Sequence, residues 1–255
     1  MTTIDFPVVH TIYPRAFSSC STLLTVGEFS LLTNLVDEGF SSNAFGGCDL
    51  LASISMPILE VISSHAFAES ALLNVNFPSV TTIGNGAFLG TEIQEINLPL
   101  VEIIENSAFY DCKSLTSVDF PLVTALEGRT FYGCTSLTSV NIPLLTNLGA
   151  SEFHDCTSLT SINFPFVIIV KYNAFRTCTS LISVNLPIAT NLGNNTFNGS
   201  TSLTTVNLPI ATTLSTDIFL NIAGQIITLT IPATLNTDAN ITYLQANNTV
   251  TIINP

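Results

Sequence analysis

A phenylalanine returns every 21 or 22 residues through most of this chain, at Phe67, Phe88, Phe109, Phe131, Phe153, Phe175, Phe197 and Phe219. Ten residues ahead of each stands a proline, from Pro57 to Pro209, and Pro7 holds the same offset from Phe17. A fixed period in this range means one supersecondary unit stacked on copies of itself, each burying its apolar edge on its neighbours. With 255 residues, 47% of them hydrophobic, the unbroken period argues for a single elongated body rather than two domains.

Counted from the proline, apolar residues recur six, three and one before it, and two, five and ten after it. Around Pro121 these are Leu115, Val118, Phe120, Val123, Leu126 and Phe131. Val118 and Phe120 stand two apart, the spacing of one strand face, so Ser117 and Asp119 point the other way. Proline ends the strand because it cannot donate to a ladder in mid-sheet. Glycines such as Gly84, Gly149 and Gly193 predict a tight corner beyond the inner residues. The Phe closes each unit as a buried plug. Short strands, turns and single helical turns are therefore expected.

The strings Ile83-Gly84-Asn85-Gly86-Ala87-Phe88 and Ala174-Phe175-Arg176-Thr177-Cys178-Thr179-Ser180-Leu181, with Val184, Leu186 and Pro187 following, resemble the BspA-like leucine-rich repeats. The resemblance implies a right-handed solenoid of about ten coils with a strand on one face of every coil. It also implies a role in adhesion and protein binding, since such proteins often belong to the surfaces of bacteria, protists or their viruses. No catalytic residues come with it. The first residues, Met1 to Pro7, show neither a basic segment nor an apolar one of the kind that directs secretion. The resemblance favours a cell or virion surface, and the missing leader leaves the cytoplasm open.

Two places break the rhythm. From Phe17 to Phe45 is 28 residues, and the excess is expected between Phe29, read in the proline slot, and Phe45. This irregular coil, about residues 30–44, carries Asp37, Glu38 and Phe40 as candidates for a binding insertion, with an imperfect end cap as the alternative. Residues 1–232 then form the solenoid, and 233–255 leave the repeat as a C-terminal cap over its last open edge.

Charge and chemistry narrow the function. The net charge is −13, and residues 1–128 hold 14 acids against 2 bases while 129–255 hold 4 against 3. Five scattered Lys and Arg do not replace the counterions that nucleic acid must release, which argues against such a partner. No run of 18 apolar residues offers a membrane span. No nucleophile elbow, phosphate loop or paired Cys-x-x-Cys appears, so no catalytic, cofactor or metal residues are assigned. Glu105 and Glu127 fall in one column on neighbouring coils, where like charges repel unless splayed into solvent or bridged by a cation. All six cysteines stand three residues after a repeat Phe, which reads as an inward ladder of small, reduced side chains.

The outward strand columns look most functional. Ser117, Ser139, Ser161, Ser183 and Thr205 stand four before the proline; Asp119, Asn141, Asn163, Asn185 and Asn207 stand two before it. Such amides and hydroxyls serve either to hydrogen-bond up the ladder and hold register, or to meet a glycan or protein surface. The expectation is a non-enzymatic recognition or adhesion scaffold with a glycan or protein partner. Its alternative is a structural, self-assembling component without a dedicated ligand.

Overall fold

A computed structural model describes residues 3–39, 43–215, 217–222, 226–235 and 249–254. They form a parallel β-solenoid of about ten turns, almost without helix: the corners are turns, and a short 3-10 segment, Ala233–Leu235, follows the last repeat. Every strand pairing between named strands is parallel, and over most of the solenoid it steps by one repeat. Ser117–Asp119 lies between Glu95–Asn97 and Ser139–Asn141, with Val118 opposite Ile96 and Val140. Further on, Ser161–Asn163, Ser183–Asn185, Thr205–Asn207, Ile226–Thr230 and Thr249–Ile253 follow one another in a five-stranded sheet. A second series of two-residue strands, among them Ile169–Val170 and Asn191–Leu192, stacks beyond the proline corner.

One hydrophobic core runs from Ile4 to Leu235. Its axis is a stack of ten phenylalanine rings from Phe17 to Phe219, with neighbouring centroids 4.9 to 5.8 Å apart and planes within 15°. Phe77, Phe120 and Phe164, from the column before the proline, pack into this stack from the side. The repeat places identical rings at identical heights, so each ring finds its partners one coil up and one coil down.

Two sequence expectations are corrected. Gly84, Gly149 and Gly193 do not supply a left-handed corner. A Cβ on Gly84 or Gly193 would lie 2.7 Å from the Ser64 nitrogen or 2.6 Å from the Tyr172 nitrogen, so these glycines allow the backbone of the adjacent coil to approach. The positive-φ corners flank the repeat Phe instead, two residues either side of it, as at Ser107 and Asp111 around Phe109. The second correction concerns Phe29. Its N–H donates to the Ser55 carbonyl at 3.1 Å, as that of Phe120 does to Asn141 at 2.9 Å, so Phe29 fills the buried column before the proline and Ser30 takes the proline slot. Part of the excess length therefore precedes Ser30, and the rest follows Val36.

Candidate functional site

The strand face is assembled by register. Parallel pairing sets Ser117 beside Ser139, Asp119 beside Asn141, and runs Ser161, Ser183 and Thr205 in one file with Asn163, Asn185 and Asn207 in the next. Alternation along a strand turns Val118, Ile162, Val184 and Val206 into the core and leaves these polar neighbours on the outer side.

The amide file is bonded to itself. Asn141 Nδ2 donates to Asp119 Oδ1 at 2.8 Å, Asn185 Nδ2 to Asn163 Oδ1 at 2.7 Å, and Asn207 Nδ2 to Asn185 Oδ1 at 2.6 Å. Nearer the N-terminus, Asn76 Nδ2 donates to Ser55 Oγ at 3.0 Å. Asn141, Asn185 and Asn207 thus each reach one coil back, in two runs that break between Asn141 and Asn163, and these bonds hold register and fix the donors' orientation before any ligand arrives. A third, partial file stands just ahead of the strands: Thr138 Oγ1 and Thr116 Oγ1 both donate to carbonyls of the preceding coil at 3.0 Å. The outcome is a flat lattice of oriented amides beside exposed hydroxyls such as Ser139, Ser161 and Thr205.

The irregular coil does different work. Asp37 accepts from both the backbone nitrogen and the hydroxyl of Ser64 at 2.8 Å, and from the Gly39 nitrogen at 2.7 Å. Its carboxylate ties the insertion to the next coil. Glu38 is exposed, and Phe40 lies outside the described residues. The two structures are not brought together: the Asp37 loop joins coils near the N-terminal end, far along the axis from Asn141 to Asn207.

Of the stacked acids, Glu105 is partly buried and accepts from the Asn85 nitrogen at 2.9 Å, whereas Glu127 is exposed. No group of three or more metal-ligating side chains converges among the described residues. The thiols of Cys48, Cys112, Cys134, Cys156 and Cys178 each donate to the repeat-Phe carbonyl of a preceding coil at 3.0 to 3.2 Å. Burial pushes the Cys48 thiol up to about 11 and that of Cys112 to about 12, which keeps them protonated donors at neutral pH. Ser200 makes the same bond to Phe175 at 2.8 Å. The column therefore asks for a small residue with a donor, which is why Ser and Thr replace Cys there.

Sequence reasoning missed an aromatic file on the residue after the repeat Phe. Tyr110 stacks on Tyr132 at 4.7 Å and 4°, and Tyr132 meets His154 at 4.6 Å. Asp155 lies beside His154 at 3.7 Å. The 22-residue spacing of these rings was the available signal. Tyr110 and Tyr132 turn their faces on one another, and His154 meets Tyr132 at 62°, edge to face.

A family model for the BspA type leucine-rich repeat region matches six copies over residues 38–144 and 124–249. The fold is similar to that of a leucine-rich repeat protein from Bacteroides ovatus, at 19% identity over 99% of this chain and 84% of that one, with a TM-score of 0.50. It is similar also to the pneumococcal vaccine antigen PcpA, at 17% identity over 99% and 78%, with a TM-score of 0.56. No curated protein matches the chain in sequence.

Proposed function

Because the chain belongs to the BspA-type leucine-rich repeat family, we propose that it is a recognition scaffold that engages a glycan or protein partner through its polar strand face. Proteins of this family are generally surface or binding repeat proteins. Among the described residues no helix is long and apolar enough to cross a membrane. On this reading, adhesion at a cell or virion surface is the role, residues 1–232 are the recognition body and 233–255 its cap.

The observation that carries the reading is the pair of amide runs, Asp119–Asn141 and Asn163–Asn185–Asn207, whose groups are oriented by their neighbours before binding. Ordered donors and acceptors lose little freedom when a polar ligand docks, which is the advantage of preorganisation. A glycan array probed with the wild-type chain, and with Asn141, Asn163 and Asn185 changed to Ala, tests it. Selective binding that disappears in the variant, at an unchanged fold by circular dichroism, supports a glycan-directed face. Binding that survives in the variant moves the site elsewhere, and silence across the array turns the search to protein partners.

A further inference from the structure

The residue directly after the proline is apolar on six consecutive coils: Leu100, Leu122, Leu144, Phe166, Ile188 and Ile210. Each sits where the chain turns out of the strand face, and all but the half-buried Ile188 are 41 to 51% exposed. None of the six helps close its own coil, because the inner positions beside it, such as Phe120 and Val123, are already filled. At about 4.8 Å per coil they make a straight apolar ridge about 24 Å long. A contiguous exposed apolar surface of this kind marks an interaction site.

Its period and its flanks identify the occupant. The ridge is bordered by the column two before the proline and the column three after it. Around Leu144, Phe166, Ile188 and Ile210 those borders are Asn141, Asn163, Asn185 and Asn207 on one side and Thr146, Ile168, Thr190 and Thr212 on the other, with no charge. Only at the N-terminal end do Asp119 and Glu102 border it. Apolar rungs repeating at the coil interval are matched rung for rung only by an apolar ridge of equal period. A second copy of this chain supplies such a ridge.

We propose that two copies pair along this ridge in antiparallel fashion, on a two-fold axis between the Leu144 and Phe166 rungs. Leu144 then meets Phe166 of the second copy, Leu122 meets Ile188 and Leu100 meets Ile210. This arrangement sets Glu102 and Asp119 against the uncharged Thr and Asn borders of the other copy. Parallel pairing would instead turn each border onto the opposite one and set Glu102 of each copy one rung from Asp119 of the other, and like charges held together cost stability. With its prolines the ridge offers about 700 Å² from each copy, near the ~800 Å² per partner of a standard specific interface. Two-fold pairing through one self-complementary patch is also the commonest form of oligomer. The inference stands apart from what the strand face binds.

Sedimentation velocity across a dilution series tests it on the full chain. The expected result is a monomer–dimer equilibrium whose dissociation constant rises at least about 100-fold in Phe166→Asp, since both copies carry the change at the centre of the seam. Leu144→Asp is the second variant, and a thermal melt by circular dichroism that matches the wild type's, both dilute enough to be monomeric, shows that either one still folds. For the direction, in a Cys20→Ser background, Leu122→Cys with Ile188→Cys, three coils apart within one copy and too distant to link there, forms a disulfide-linked dimer on mild oxidation, and Leu100→Cys alone does not. A wild-type chain that stays monomeric, or a dimer indifferent to both aspartates, overturns the proposal. Efficient linking through Leu100→Cys overturns the antiparallel arrangement. If the monomer instead binds phosphatidylcholine vesicles and Phe166→Asp abolishes this, the ridge is a lipid contact and the pairing is rejected.

Discussion

Glu152 shows how far one residue can depart from its column. The residue before the repeat Phe is Ala66, Ala87, Ala108 and Ala174 on other coils, and all are buried. Glu152 occupies that slot with no solvent exposure, and Gly149, lacking a side chain, leaves the space its carboxyl needs. One oxygen accepts from the Thr130 nitrogen at 3.0 Å; the other is buried without a partner, as is the Thr130 hydroxyl. Burial raises the carboxyl to about 7, against the Thr130 and Gly149 polar groups beside it and the charge of Lys171, which lower it. The folded state therefore holds a proton that the unfolded chain releases near the ordinary glutamate value. Stability falls as pH rises from about 4.5 to 7, by at most about 3 kcal/mol, and levels off above. Glu152→Gln keeps an acceptor for Thr130 and removes the charge. It should flatten this slope and raise the melting temperature at pH 8, where an unchanged profile in denaturant melts would exclude Glu152 as its source.

Single coils close through backbone features that residue types only partly reveal. The residue two beyond the repeat Phe is left-handed on every coil from Ser19 to Asn221, yet only Gly47, Gly90, Gly133 and Gly199 are glycines there. Ser, Asp, Glu, Thr and Asn fill the rest, so composition does not disclose the corner. Close approach is the harsher demand. At Gly193 an added Cβ would fall 2.6 Å from the Tyr172 nitrogen, and backbone cannot swing aside as a side-chain tip can. Gly193→Ala should destabilise by about 1–3 kcal/mol through forced coil separation. Gly199→Ala, with φ of 76° and nearest atoms at 3.7 Å, should cost about 1 kcal/mol from conformation alone. Urea midpoints of the two variants give the comparison, and equal shifts would mean that approach does not limit the coil spacing.

Along the whole molecule, charge and apolarity are distributed differently. The carboxylates crowd the first half, at 14 acids against 2 bases, and compact stacking holds them closer than an unfolded chain would. Salt screens such repulsion over about 8 Å at physiological ionic strength, so the melting temperature should rise by a few degrees from low salt to that level. Measuring the Phe166→Asp chain by scanning calorimetry separates this from any gain through pairing, and a flat response would mean that the carboxylates are already splayed into solvent. The repeat itself was legible throughout. Phe at 21 or 22 residues, Pro ten before it and alternation around Val118 dictate a solenoid with a polar strand face, because identical units can bury their edges only on one another. The face residues from Ser117 to Asn207 could be named in advance for the same reason: alternation leaves a strand residue no third direction. The same counting put Val123 inside but could not say that Leu122 and Phe166 stay outside, because at the proline corner no strand period dictates direction. Nor could it place Phe29 one column early, bury Glu152 or set Asp37 on Ser64. Those outcomes depend on how close the next coil's backbone comes and which groups it presents, and that is decided only when the coils are stacked.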